Sequence, residues 1–339
     1  MGEAMRMSEL LAHGFVNNVR GVFVKEDPFS VGFVVTGLGT ISIKAGTYVS
    51  VAGRMFSFNN QTVVVMPGSL AAGTDYAIYA CADGSVRADS NWSAPTGYTT
   101  SNSRKIGGFH YAPGGNAGGQ SGGNSTTQIN PYSVWDLAWR PSCKDPRGMT
   151  LVAGSFWSDI YLLGVNHTTD GTSRLGATIA DGNSPPKVPL EFGGTGSNSY
   201  GSMTWFETAE VFSAYGKRMP TYQEFLSIAY GTTENTSVGS DPVTTQLQVA
   251  FTSKWGVVQA SGVMWVWGDE FGGGAASAAW SNNVGGRGQS YQMENAVFFG
   301  GAWALAAFSG SRASLWYHSP SSSYGNLGGR GACDHLQLV

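Results

Sequence analysis

Apolar and polar residues alternate along much of the first third of the chain. Thr40-Ile41-Ser42-Ile43, Tyr48-Val49-Ser50-Val51 and Met55-Phe56-Ser57-Phe58 each repeat with a period of two, punctuated by Lys44-Ala45-Gly46 and Ala52-Gly53. Successive side chains of a strand point to opposite faces, so this pattern predicts half-buried strands joined as a hairpin ladder. Tyr76-Ala77-Ile78-Tyr79-Ala80 and Ser85-Val86-Arg87-Ala88 flank Asp83-Gly84, a favoured tight-turn pair. Residues 20–113 are therefore predicted to be a small, sandwich-like β-rich domain, preceded by a lead over 1–19 that is either helical or disordered. Residues 114–130 are rich in Gly, Ser and Asn and read as a flexible connector. No Lys and no helix follow those glycines, so they do not make a phosphate cradle.

The pattern changes after Pro131. Thr204-Trp205-Phe206-Glu207 has capping-box spacing and leads into Ala209, Val211, Phe212 and Ala214 before Gly216. Thr221-Tyr222-Gln223-Glu224 repeats the box, leads into Phe225, Leu226, Ile228 and Ala229, and meets Gly231. Thr at the N-cap, Glu three residues on and Gly past the end predict two short helices. Beyond them, short apolar runs such as Val263-Met264-Trp265-Val266-Trp267 and Val297-Phe298-Phe299 alternate with Gly-rich loops. The fold class predicted is α+β: the all-β domain, then a loop-rich, short-stranded domain over 131–339 buttressed by tryptophans.

Composition narrows the class of function. Lys and Arg total 19 against 22 Asp and Glu, which excludes a strongly basic nucleic-acid binder. Charged residues make up 12% of the chain and hydrophobic ones 42%, with 49 glycines; this is a folded chain and not a disordered one. No apolar run is long enough to cross a membrane. No apolar leader ending in a small-residue cleavage site precedes the fold, which predicts synthesis in a reducing cytoplasm. Cys81, Cys143 and Cys333 are an odd set without metal spacing, so buried thiols are expected rather than a disulfide framework.

Several segments carry a resemblance. Lys217-Arg218-Met219-Pro220-Thr221-Tyr222-Gln223-Glu224-Phe225 resembles a helix start of the formylglycine-generating-enzyme branch of the C-type lectin fold. Trp265-Val266-Trp267-Gly268 and Phe299-Gly300-Gly301-Ala302-Trp303 resemble two of its strands. Ser309-Gly310-Ser311-Arg312-Ala313 and Gly328-Gly329-Arg330-Gly331 stand where that branch has Arg-bearing turns. Within the branch, residues 145–154, 159–167 and 251–262, with 72–79 and 107–113 of the β domain, are similar to the tropism-determinant family of phages. These are variable proteins of diversity-generating retroelements. The likeness runs over roughly residues 30–339 and fades at the N-terminus.

What the resemblance implies is a non-enzymatic, receptor-binding protein at phage tail-fibre tips. It would be a homotrimer carried on the virion and joined to a tail-fibre protein. Its variable region, about 300–335, would be rewritten at adenines by an error-prone reverse transcriptase to bind changing host cell-surface proteins or other surface ligands. Trp303, Arg312, Trp316, Gly328, Gly329 and Arg330 read as framework: buried anchors, turn glycines and arginines that bond carbonyls. Between them Ala302, Ala304, Leu305, Ala306, Phe308, Leu315, Tyr317, His318, Ser322, Tyr324, Asn326 and Leu327 match the family's diversified, ligand-binding positions. Asn codons altered at adenine cannot encode Trp, Met, Gln, Lys or Glu, and none of the twelve is one of these. A position that accepts any side chain must lie outside a close-packed core. Period-two spacing of 322, 324 and 326 would place them on one side of an extended segment, and Phe308, Tyr317, His318 and Tyr324 would form an aromatic patch.

Other chemistries compete with this reading. Cys333-Asp334-His335 could place a thiol and an imidazole on one face of a strand, but packing of a terminal strand explains them as well. Formylglycine-generating enzymes use a cysteine pair near this region, where this chain has Cys333 alone, so that oxidase remains the alternative rather than the choice. A cellular surface adhesin on the same scaffold is the other alternative. No catalytic residue and no cofactor is expected. Asp269-Glu270, Asp181, Asp241 and Glu294 leave room for a structural calcium or magnesium ion, while the sugar-binding motifs of calcium-dependent lectins are missing from the sequence. His110 and His167 read as structural.

Overall fold

The computed structural model describes residues 21–272, 280–282, 289–291 and 295–337. The lead over 1–19 and Glu294 lie outside them. It is mostly sheet, with few helices, and divides into two compact units. Of the described residues, 21–111, 134–140 and 336–337 form the first, and 112–133 with 141–335 the second. The division is discontinuous in sequence, unlike the contiguous blocks the composition suggests.

In the first unit the strands fall close to where alternation places them: β1 Phe33–Gly37, β2 Thr40–Ile43, β3 Thr47–Val51, β4 Arg54–Phe58, β5 Thr74–Cys81, β6 Val86–Asp89 and β7 Ser103–Ala112. The single ladder does not form. β2 pairs with β1 and β3 with β4, so the chain changes sheet at Lys44-Ala45-Gly46. The polar positions of β2 and β3 are not solvated either, because Ser42 and Ser50 are buried; Ser50 Oγ accepts from Arg104 Nη1 at 3.1 Å. Both faces are covered at Ser42 and Ser50, whereas Tyr48 of β3 and its neighbour Ser57 of β4 are exposed. β5 lies between β6 and β7. Trp135 and Asp136 pair with β7, and the buried Asp136 carboxylate accepts from Gly32 N, Ala138 N, Trp139 N and Lys25 Nζ at 2.7–2.9 Å.

The Gly/Ser-rich stretch is not a free connector. Gly122 N–H donates to the Gly231 carbonyl, Gly123 N–H to that of Val249 and Ala117 N–H to that of Ser253, all within the second unit. Its glycines permit close approach: a Cβ on Gly122 would sit 2.6 Å from the Ala250 backbone. Composition signals flexibility only where no partner fixes the backbone, and here partners about a hundred residues away do.

In the second unit, β8 Met149–Val152, β9 Phe156–Asp159 and the terminal strand Ala332–Gln337 form one antiparallel sheet. Both capping boxes form. α1, Trp205–Ala214, starts at Thr204 with Glu207 closing the box, and α2, Tyr222–Ile228, starts at Thr221 with Glu224. The four-residue helix His167–Asp170 has no comparable sequence signal. A second sheet positions the site. β10 Trp265–Gly272 runs antiparallel to β11 Asn295–Phe299, β11 antiparallel to β12 Ser314–His318, and β10 parallel to β13 Leu327–Gly328. Alternation along β11 sends Ala296 and Phe298 to a core with Trp265, Trp267 and Phe212 of α1, and Val297 and Phe299 to another with Phe225 and Ile228 of α2. β11 is buried on both faces, so the backbone at the centre of the sheet is fixed from either side.

Candidate functional site

The loop that follows β11 carries the first of the expected site residues. It is held by backbone and by side chains from elsewhere. Leu305 N–H donates to the Ala302 carbonyl, Phe308 N–H to that of Leu305, and Asn235 N–H to that of Ser309. Ser237 Oγ donates to the Trp303 carbonyl at 2.6 Å and accepts from Ala306 N at 3.0 Å. Glu234 accepts from Ser311 N at 3.0 Å and from Ser311 Oγ at 2.6 Å. Both clamps act on main chain or on buried Ser311. The side chains of Ala304, Ala306 and Phe308 therefore take no part in holding the loop, and all three are exposed. Sequence reasoning missed Glu234 and Ser237; polar residues in a loop carry no periodic signal.

The terminal framework is fixed just as firmly. The fully buried Arg330 guanidinium donates to four carbonyls, of Asp159 and Ile160 through Nη1 at 2.9 and 2.8 Å, and of Val258 and Gln259 through Nη2 at 2.8 and 3.0 Å. Gly329 has no room for a Cβ without crowding Thr208, Met203 and Phe212 at 3.0–3.2 Å. Trp303 is half-buried against the core around Phe251 and Val263.

Between these supports lies an open cleft of about 730 Å³. Trp265 and Phe298 are its inner wall. Seven of the twelve expected positions line it: Leu305, Phe308, Leu315, Tyr317, His318, Tyr324 and Asn326. Phe308 is 81% and Tyr317 66% exposed. His318 sits at the centre, stacked on Phe298 at 4.9 Å between ring centroids, with Tyr317 at 4.2 Å and Tyr324 at 5.2 Å. The aromatic patch therefore exists. A register shift in the β11–β12 pairing pairs Phe298 with Leu315 and Ala296 with His318. Such an irregularity breaks the two-residue alternation, which lets residues three apart turn to the same side. Burial depresses the His318 imidazole below its ordinary pKa, so the patch is uncharged near neutrality. Among the described residues that line the cleft, Arg312 is the one that carries a full charge.

Four residue assignments are corrected by the structure. Ala302 is 1% and Leu327 0% exposed, both in the core with Trp265 and Phe298. Ala302 enters that core as the chain leaves β11 through Gly300 and Gly301, and Leu327 because it pairs with Trp265 in the sheet. Neither is a surface position. Conversely, Trp316 is 38% exposed, resting edge-on against Tyr222 at 6.1 Å, and is no buried anchor. Arg312 is exposed; its carbonyl, not its guanidinium, makes the framework bond, accepting from Tyr222 Oη at 3.1 Å. The extended 322–326 segment is also absent. Turns closed by Ser322 N–H to the Ser319 carbonyl and Leu327 N–H to that of Tyr324 replace it, so Tyr324 and Asn326 reach the cleft and Ser322 does not.

The remaining candidates are used locally. Glu270 accepts from Tyr222 N at the start of α2, Asp181 from Asn183 N and Ser184 N, and Asp241 from Val243 N. Among the described residues no three His, Cys, Asp or Glu converge as a metal site. His335 Nδ1 is 2.8 Å from Trp157 Nε1, which donates to it, while the buried Cys333 thiol lies beside Cys143. The thiol and the imidazole are thus engaged separately. Cys143 supplies a second cysteine beside Cys333, so the lone-cysteine argument against a formylglycine-type oxidase fails on geometry.

A cleft whose backbone is held by Glu234, Ser237 and Arg330, and whose described lining is largely aromatic, presents a surface suited to contact. Comparison with known proteins agrees. Residues 31–136 match the family model described as the Mtd second domain. The chain is 56% identical over 329 residues to the tail fiber receptor-binding protein of Bordetella phage BPP-1, covering 94% of this chain and 86% of that one. Solved structures of the Major Tropism Determinant U1 and P3c variants superpose with a TM-score of 0.93 at 55% identity, covering 95% of this chain and 88% of theirs. The chain belongs to the major tropism determinant family.

Proposed function

We propose that this protein is the receptor-binding tip of a phage tail fibre, with no catalytic role. Its second unit is read as a C-type lectin fold whose cleft side chains are rewritten by a retroelement to follow changing host-surface ligands. The observation that carries this reading is the separation of roles. Seven of the positions expected to vary line one cleft, while the residues that fix their backbone, Glu234, Ser237, Gly329 and Arg330, lie outside the set. Ten positions remain in the proposed variable set: the original twelve without Ala302 and Leu327. The aromatic lining suits contact, because Tyr and Phe supply large area at small entropic cost. A homotrimer, several times repeated on a virion, would raise weak single-site binding by avidity on the order of 10²–10⁴-fold.

Deep sequencing of the gene's 3′ end in a propagated population tests the reading. Variation concentrated at the ten positions, with Trp303, Gly328, Gly329 and Arg330 constant, is expected. Variation spread evenly over the gene would sink it. For the absence of catalysis, the check is incubation with a sulfatase-type cysteine peptide: no aldehyde should form.

A further inference from the structure

We infer that Cys143 and Cys333 are a site for a reversible cross-strand disulfide that ties the terminal strand to the segment after Pro141. Ser142 N–H donates to the Asp334 carbonyl at 3.0 Å. The next pair inward is Cys143 and Cys333, two buried thiols close enough to act on each other's ionisation; the Cys143 Sγ donates to the Asp145 carbonyl at 3.2 Å. Residues 142 and 143 thus meet 334 and 333 in antiparallel order. Directly opposed antiparallel residues have Cα atoms roughly 4.5–5.5 Å apart, inside the roughly 4.4–6.8 Å that a disulfide spans. Both cysteines are buried thiols, and Cys81, the remaining one, is buried in β5 of the first unit.

The surroundings favour chemistry at Cys333. Lys217 Nζ, held by Asp159 at 2.5 Å and Thr172 at 2.7 Å, places a buried positive charge near both sulfurs. The neighbouring Cys143 and, after it, the Lys217 charge lower the Cys333 thiol below its ordinary pKa, while the Cys143 thiol is raised by its closeness to Cys333 and by burial. Cys333 is therefore the attacking thiolate. With a low-molecular-weight disulfide such as oxidised glutathione, the Cys333 sulfur bonds to one glutathione sulfur and releases the other as a thiol. The Cys143 sulfur then bonds to that of Cys333, expels the second glutathione and gives up its proton to it. One disulfide is consumed and two glutathione thiols form, so the two electrons lost by the protein are those gained by the oxidant. A chain made in a reducing cytoplasm and used outside the cell would carry the thiols in the first setting and the bond in the second.

The test uses the full chain, purified with reductant, freed of it and incubated with oxidised glutathione at roughly pH 8. The protein is then denatured and alkylated. A mass loss of about 2 Da, one alkylatable thiol in place of three, and a linked 143–333 peptide are expected. The thermal midpoint should rise on the order of 5–15 °C and fall back with dithiothreitol. Cys143→Ser should leave a glutathione adduct on Cys333 instead of the linkage. Three alkylatable thiols in the treated wild type, stable adducts on both cysteines, or a linkage through Cys81 would each overturn the inference. The wild-type mass and linked peptide decide it, so a variant that fails to fold does not leave it open. Its failure would leave the receptor-binding reading untouched, because the site stands on the pairing of the terminal strand with residues 142–143 and not on the cleft.

Discussion

Ala302 and Ala304 are the same residue two positions apart, yet the structure assigns them opposite fates. Replacing each in turn by Tyr isolates that difference. The Ala302 Cβ lies in the closed core of Trp265, Trp267, Phe298 and Leu327, and its carbonyl anchors the loop through Leu305 N. A phenol ring there must displace packed side chains, which costs about 1–3 kcal/mol through overpacking. For a unit of this size each kcal/mol lowers the melting midpoint by about 2–4 °C, so Ala302→Tyr should melt roughly 2–12 °C below the wild type. Ala304 is exposed, and Ala304→Tyr should stay within about 0.5 kcal/mol of it. Equilibrium denaturation in urea, with the transition read by tryptophan fluorescence, measures both. Equal stability of the two variants would refute the exclusion of residue 302 from the variable set. It would also undermine the premise that burial decides which positions can vary.

The other predictions concern the frame and the patch. Arg330→Met should destabilise by about 3–5 kcal/mol, because four buried carbonyls lose their donor; Arg330→Lys, which lacks the forked donor geometry, should recover only part of that in the same urea titration. Phe308→Ala, Tyr317→Ala and Tyr324→Ala should leave stability within about 0.5 kcal/mol yet weaken adsorption of virions to a susceptible host by up to about 2–4 kcal/mol where one of them is a hot spot. Trp316→Ala, removing a ring that is more than a third exposed, should cost only about 1–2 kcal/mol, well short of a fully buried tryptophan. The depressed His318 pKa means the unfolded chain takes up a proton first as pH falls. Its contribution is nil where the imidazole is neutral in both states and becomes destabilising as pH drops below the unfolded value of about 6.5. Stability should therefore fall on acidification through that window, less steeply in His318→Gln; an unchanged slope would exclude His318 as a source.

What could be read from the sequence was whatever its own neighbours determine. Thr204 with Glu207 and Thr221 with Glu224 announce their helices because a capping box closes within four residues. Alternation found the strands of the first unit for the same reason, but not that Ser42 and Ser50 are covered, since burial depends on what lies across from them. The cleft was half legible. Framework spacing and family likeness located its aromatic residues. The irregular β11–β12 register, the turns at 319–327 and the clamps from Glu234 and Ser237 arise from pairings far apart in the chain and leave no local pattern. Trp316 misled because a large aromatic residue is usually an anchor, and the 114–130 stretch because glycine serves close packing as well as freedom. Cys143 and Cys333 meet only once the terminal strand is in place.

The clamps at Glu234 and Ser237 bear on inheritance as well as on shape. Any process that rewrites the codons of a short terminal stretch leaves untouched the upstream codons that keep that stretch in place. Offspring of such rewriting should differ widely in what they grip and little in how many survive folding. Selection then judges a new surface on its partner alone, and few trials are discarded before they meet one.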